Sequence, residues 1–346
     1  MRAADTYGVS DGLPGYFDVA GAVRMGAAPT AAAGPGTAVS IPTGGMLPPG
    51  ADAVVMVEYT QAVLDGTIEV IRPVAPGEGV VRADEDAAAG AELAPAGRPL
   101  RAQDLGMLAA AGLATVTVHA RPLVTVFSTG DEVVPPETAE LQPGQVRDAT
   151  AAALAALISE AGGVPAAGGI IPDDAAVLET ALRGALGGSD MIVISAGSSV
   201  GVRDETAAAV SHLGPPGIWC HGLAIKPGKP TLLAECAGVP VIGLPGNPRS
   251  ALVVFRLIGM PVLRRVGGCT QAPAEPVLRA RLDRDIASAS GRLDVVQVRV
   301  SGQTASPVFG LSALLSVLTT ADGYLIVPED ATGLDAGTEV DVTLYR

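Results

Sequence analysis

Between Arg121 and Val266 the sequence alternates apolar runs with helix-like stretches, and this alternation limits the fold more than any other feature. Leu123-Val124-Thr125-Val126-Phe127 is near-continuously apolar, as a strand buried on both faces must be. Residues 149–160 follow as a helix, with Leu154, Leu157 and Ile158 at helical spacing. A short run at 168–171 precedes a second helix from Asp173, whose acidic first turn suits the helix dipole. Residues 190–194 and 239–243 read as two more strands. The alternation predicts a doubly wound, mostly parallel α/β domain over residues 121–266.

The flanks read differently. Over residues 1–120, β-branched runs at 37–41, 53–57 and 68–71 stand between Gly and Pro turns, predicting a β-rich module with one helix over 100–111. After Gly267-Gly268, runs at 294–300, 323–327 and 339–344 predict a small carboxy-terminal β-barrel or sheet over residues 267–346, with Pro328, Gly333 and Gly337 at its turns. The fold class is therefore a multidomain α/β protein.

In an open α/β sheet, ligands bind outside the carboxyl ends of the strands. Three small-residue segments stand there: Ser128-Thr129-Gly130-Asp131-Glu132, residues 195–204 with Gly197, Ser199, Gly201 and Asp204, and Leu244-Pro245-Gly246-Asn247-Pro248-Arg249. Backbone N–H groups in such segments approach anions closely, so the three together predict a pocket for a phosphorylated ligand. Ile225-Lys226-Pro227-Gly228-Lys229-Pro230 adds two lysines on a rigid turn, in a chain with very few. A solvated loop is the alternative; the paired prolines favour a pre-organised oxyanion site, which Arg203 and Arg249 can join. Asp131, Glu132, Asp148, Asp173, Asp174 and Asp204 lie at the same loop ends. Asp173 and Asp174 also suit helix capping. Carboxylates beside an anion pocket repel the anion unless a divalent cation bridges them, which implies Mg²⁺. His119, His212 and His221 show no ligand spacing.

A net charge of −14 argues against nucleic acid or an anionic membrane as partner, because either needs a broad basic field. Cys220, Cys236 and Cys269 are widely spaced and suggest reduced thiols, neither a disulfide framework nor a zinc site. No apolar run reaches membrane-spanning length and Met1-Arg2-Ala3-Ala4-Asp5 is no signal peptide, so a cytoplasmic protein is expected.

Five ordered segments carry a family resemblance. Thr43-Gly44-Gly45 with Leu47-Pro48-Pro49-Gly50-Ala51-Asp52-Ala53-Val54-Val55 resembles the "TGAPLPxGADAVV" segment of the molybdopterin molybdenumtransferases (MoeA and the gephyrin E domain). Residues 128–132 are similar to their "STGDEL", 143–148 to "GQIRD", 225–230 to "IKPGKP" and 243–248 to "GLPGNP". The resemblance implies insertion of molybdate into adenylated molybdopterin with release of AMP. It implies catalytic roles for Lys226, Lys229, Glu132 and Asp204, and Mg²⁺ held by Asp86, Asp173 or Asp174, and Asp204. Substrate contacts fall on Thr43, Ser128, Thr129, Gly130, Gly197, Ser199, Gly201, Pro245, Gly246, Asn247 and Pro248. It also implies a homodimer in which Thr43 and Asp86 act in trans.

Two departures qualify the match. The family opens with helices and a "DGYAV" segment bearing a functional aspartate, whereas Met1-Arg2-Ala3-Ala4-Asp5 resembles the stretch that follows it. A start assigned too late explains this, and the intact downstream motifs favour it; a shortened, non-catalytic pterin-binding paralogue or scaffold is the alternative. Arg203-Asp204-Glu205-Thr206 is also similar to an "Arg-Asp-x-Thr" of the molybdopterin adenylyltransferases, and Thr150 stands where asparagine is common. Those adenylyltransferases lack the lysine turn and both flanking β modules, which ranks insertase above them.

Overall fold

The computed structural model of the chain describes residues 1–196, 200–271 and 273–345, and of residues 200–204 only the backbone. The chain forms two compact units, Met1–Leu93 and Ala94–Arg346.

Unit 1 holds a four-stranded sheet built from β1 (Gly15–Ala22), β2 (Thr37–Ser40), β3 (Thr60–Leu64) and β4 (Thr67–Val70), in the order β2-β1-β4-β3. Phe17, Ala38 and Val70 are buried on one side of it. The apolar stretch 53–57 is not the expected strand. Its amides find single partners instead of a ladder: Ala53 N–H donates to Met1 C=O at 3.2 Å and Val54 N–H to Glu78 C=O at 2.9 Å. Apolar content marked burial there (Ala53 is fully buried) and not strand pairing.

Unit 2 opens with α1 (Ala102–Ala110), within the span expected for it. Its first turn is fixed by Asp104, which accepts from Arg98 Nη1 at 2.6 Å, Arg98 Nη2 at 2.8 Å and the Arg101 amide at 2.8 Å. The α/β layer then runs β5 (Leu123–Thr129), a two-residue pair β6 (Val133–Val134) and β7 (Val146–Arg147), α2 (Ala149–Glu160), β8 (Val164–Ile171), α3 (Ala175–Leu186), β9 (Met191–Ser195) and α4 (Val200–Ser211). It continues through β10 (Pro216–His221), β11 (Ile225–Lys226), β12 (Leu232–Cys236), β13 (Val239–Leu244), α5 (Pro248–Val254), a π-helical turn (Phe255–Gly259) and α6 (Met260–Val266).

The central sheet has the order β10-β12-β13-β9-β5-β8. Strands β13, β9, β5 and β8 are parallel, as expected, but β12 and β10 add an antiparallel edge. Every residue of β9 is buried, and alternate side chains enter opposite cores. Ile192 and Ile194 pack with Leu178 and Leu182 of α3, while Met191 and Val193 pack with Leu154, Ile158 and Phe255 on the other face. Each such side chain, fully buried, contributes about 1.5–3 kcal/mol. Helices on both faces make this the doubly wound layer that the sequence predicts.

The remaining strands are β14 (Val277–Leu282), β15 (Ile286–Ala287), β16 (Leu293–Ser301), β17 (Thr304–Pro307), β18 (Gly323–Val327), β19 (Gly333–Leu334) and β20 (Glu339–Leu344), with α7 (Ser316–Thr320) between β17 and β18. Pairing runs β16-β17-β14-β20-β18 and returns to β16, so five strands close a barrel. β11, from the lysine turn, adds to β16 in parallel register, Ile225 opposite Leu293 and Lys226 opposite Asp294. Among the described residues no helix is long and apolar enough to cross a membrane.

Candidate active site

The lysine turn hangs between β11 and β12 and is closed from both sides. Leu223 N–H donates to Lys229 C=O and Gly222 N–H to Thr231 C=O, each at 2.8 Å, and the buried Thr231 hydroxyl donates to Gly228 C=O at 2.7 Å. The Lys226–Pro227 peptide is cis. Gly228 has φ +124°, and a Cβ there would lie 2.3 Å from Val254 Cγ2, so only glycine lets the turn pack on α5.

Lys226 and Lys229 are the only lysines in the chain. Both line a cavity of about 920 Å³, together with Arg249, Arg292, Asn247 and Pro245. Among the described residues Asp294 is the one acidic side chain in its wall, so four cations there face one carboxylate in a protein of net charge −14. Asp294 is 3 % exposed and accepts from Lys226 Nζ and from Ser288 Oγ, each at 3.0 Å. The Nε atoms of Arg249 and Arg292 are buried without a hydrogen-bond partner. A buried, unpaired guanidinium N–H is costly, and an oxyanion in the cavity offers Arg292 an acceptor.

A smaller cavity of about 110 Å³ adjoins it, sharing Pro230, Pro245 and Asn247 and adding Gly246, His221 and Thr206. The Pro245–Asn247 segment follows β13, whose last residue Leu244 pairs with Ser195 of β9. It thus occupies the carboxyl edge of the sheet. Pro248 lines neither cavity and begins α5.

An acidic group stands further along the same edge. Ser128 and Thr129 end β5, both buried, and Ser128 Oγ has no partner. Gly130 turns the chain at φ +141°, where a Cβ would lie 2.6 Å from Glu132 Oε2. Asp131 accepts from the Asp173 amide at 3.2 Å. Burial first, then the charges of Asp131, Glu132 and Glu205, push the Asp173 carboxyl above its ordinary range. Asp173 Oδ1 and Glu205 Oε2 are buried without partners. Asp174 is engaged differently: it caps α3, accepting from Ala176 N–H at 2.8 Å and Val177 N–H at 3.1 Å. Asp148 likewise caps α2 through the Ala151 amide at 3.0 Å.

The structure therefore brings Lys226, Lys229, Pro245, Gly246 and Asn247 to the two cavities, and gathers Glu132 and Asp173 separately. Neither cavity is lined by Glu132 or Asp173. Gly197 and Ser199 lie outside the described residues, as do the side chains of Arg203 and Asp204, while Gly201 stands in the first turn of α4. Thr43 and Asp86 are exposed on loops of unit 1. Arg292, Asp294 and the unpartnered Glu205 were not expected as site residues. The two barrel residues reach the cavity only through the β11–β16 pairing, which leaves no mark on the linear sequence.

Comparison with known proteins agrees along the chain. Residues 1–112 match the MoeA N-terminal region (domain I and II), residues 125–265 a probable molybdopterin binding domain, and residues 279–345 the MoeA C-terminal region (domain IV). The molybdopterin molybdenumtransferase 2 of Mycobacterium tuberculosis is 34% identical over 349 residues, covering 99% of this chain and 85% of that protein. The Bacillus subtilis molybdopterin molybdenumtransferase is 31% identical over 355 residues, covering 100% and 82%. A solved MoeA structure from Pyrococcus horikoshii matches with a TM-score of 0.78 at 37% identity, covering all of this chain and 85% of that one. With these matches spanning both units, the chain belongs to the MoeA family of molybdopterin molybdenumtransferases.

Proposed function

We propose that this chain completes molybdenum-cofactor assembly by inserting molybdate into the dithiolene of adenylated molybdopterin, releasing AMP. The single observation behind this conclusion is the cavity where both lysines of the chain meet Arg292. Molybdate is a compact dianion, and ammonium groups on a rigid turn offer it point charges with rotatable donors. Lys229 and Arg292 bind the oxyanion, while Lys226, tethered to Asp294, donates from one side. The Pro245–Asn247 segment borders both cavities.

Mg²⁺ fits the acidic group, because a cation would satisfy the unpartnered oxygens of Asp173 and Glu205 and offset their mutual repulsion. Among the described residues no three His, Cys, Asp or Glu side chains form a ready-made cage. Mg²⁺ takes one or two carboxylates and completes its shell with water and phosphate. Asp173 and Glu205 hold it, with Glu132 beside them; Asp174 stays on its cap. When bound, Mg²⁺ neutralises charge on the phosphoanhydride as AMP leaves. The working form is a cytoplasmic homodimer of three-domain subunits (1–120, 121–266, 267–346), with Thr43 and Asp86 of one subunit serving the other's site.

AMP release from adenylated molybdopterin by this 346-residue chain, with and without molybdate, tests the proposal. Molybdate-dependent release supports it. Pterin binding with no release would instead assign the chain as a non-catalytic binding paralogue.

A further inference from the structure

Arg249 is the second residue of α5 and is 9 % exposed. Its Nη1 donates to Gly310 C=O at 2.6 Å, spanning 61 residues from the α/β layer to a loop of the barrel. Phe309, Gly310, Leu311 and Ser312 of that loop line the large cavity. Phe309 is 60 % exposed and Leu311 75 %, so hydrophobic burial does little to hold the loop there. It is also held by Val308 N–H on Gln297 C=O at 2.8 Å, by Leu314 N–H on Leu311 C=O at 3.0 Å and by the close packing of Gly310 on α7. A Cβ on Gly310 would lie 2.5 Å from Val317 Cγ2.

Seven residues beyond Arg249, Arg256 makes an independent joint between the same layers. Its guanidinium lies over the Tyr345 ring at 5.0 Å and donates to Glu160 through two bonds of 3.2 Å. The barrel is thus anchored without Arg249, and what Arg249 controls is local.

We propose that Arg249 is a positioning residue that latches the barrel loop 308–312 in place as the outer wall of the cationic cavity, and so sets how tightly that cavity holds a tetrahedral oxyanion. The latch rests on the assignment of that cavity as the molybdate site. The guanidinium reaches Gly310 through a rigid fork, and burial keeps water from competing for the carbonyl. Releasing the loop opens the wall, admits water and weakens the oxyanion site without touching the chemistry at the dithiolene.

The test uses the full chain with Arg249→Met, which preserves apolar packing, and Arg249→Lys, which keeps the charge but loses the fork. Hydrogen exchange over residues 308–312 is read beside KM for molybdate and kcat for AMP release. Arg249→Met is expected to speed exchange in the loop by about tenfold or more, with β13 and β16 unchanged. KM for molybdate rises about tenfold and kcat stays within about twofold. Arg249→Lys falls between wild type and Arg249→Met on both readings. Unchanged loop exchange overturns the latch; a raised KM with an unmoved loop assigns Arg249 as a direct ligand instead. If Arg249→Met does not fold, exchange in Arg249→Lys with molybdate alone decides, since an unmoved loop there again refutes the latch. A wild type that neither binds molybdate nor releases AMP refutes the cavity assignment, while loop exchange still reports on the latch.

Discussion

Lys226 Nζ lies 3.0 Å from Asp294 Oδ2, and the two residues face each other across the β11–β16 strand pair. The lysine side chain is 50 % exposed and the aspartate 4 %. The carboxylate therefore acts as a fixed anchor and the ammonium as a tethered arm, with one of its donors committed and the rest facing the cavity. Sixty-eight residues of sequence separate them, and a two-residue strand closes the gap.

Asp294→Asn removes the negative charge that the described residues give the cavity wall while keeping an acceptor for Ser288. Molybdate alone is expected to bind several-fold tighter, because about 1 kcal/mol of opposing charge is removed at partly exposed dielectric. Turnover falls, since Lys226 is no longer held in place. Calorimetric titration with molybdate, set beside kcat for AMP release, separates the two effects; weaker binding would show that the anchor serves affinity itself.

Gly228→Ala places a methyl against Val254 in a backbone conformation that side chains avoid. The cost is about 2–4 kcal/mol, summing overpacking and left-handed strain. A thermal melt should show the loss, and molybdate binding should weaken as the turn shifts off α5. A wild-type melting midpoint would contradict the packing described here.

Asp173 and Asp174 are adjacent yet should respond in opposite senses. Asp173→Asn relieves a carboxylate crowded by Asp131, Glu132 and Glu205, so the metal-free protein gains stability while AMP release drops by about tenfold or more. Asp174→Ala removes the cap of α3 and costs about 1 kcal/mol of stability. The Mg²⁺ concentration for half-maximal rate moves with the first substitution and not with the second. Melting curves without metal and Mg²⁺ titrations of activity check both signs.

Arg98 and Arg101 hold the Asp104 carboxyl well below the usual carboxylate range, chiefly through hydrogen bonds to its charged form. A depressed folded pKa contributes stability that is present above the unfolded value of about 3.9 and is lost as pH falls below it. Melting midpoints measured from pH 7 down to pH 3 should therefore drop more steeply below about pH 4 in wild type than in Asp104→Asn.

Much of the α/β layer was legible because its signals are local. Leu154, Leu157 and Ile158 mark α2 at helical spacing, and the structure places that helix at Ala149–Glu160. The strand-end loops could be found because abrupt changes from apolar to small residues coincide with the carboxyl edge. The antiparallel edge was less visible. β10 leaves Trp219 65 % exposed, and its irregular burial carries neither a continuous apolar run nor clean alternation. β12 does alternate, with Leu232, Ala234 and Cys236 buried, but it is only five residues long. Asp174 shows a different limit: capping a helix and binding a cation call for the same side chain, and only the bonds to Ala176 and Val177 separate them. Arg292 and Asp294 were out of reach, because tertiary strand pairing alone delivers them to the cavity.

Because Lys226 and Lys229 are the only lysines, an amine-reactive label read by mass spectrometry reports on the cavity with the α-amine as its only other target. Labelling at graded molybdate concentrations tests the central claim most directly. Both lysines should be protected with the same midpoint, Lys229 to the greater extent because Lys226 is already paired with Asp294, while the α-amine labels at a constant rate. Labelling of both lysines that stays unchanged at every molybdate concentration would contradict the assignment of this cavity as the oxyanion site.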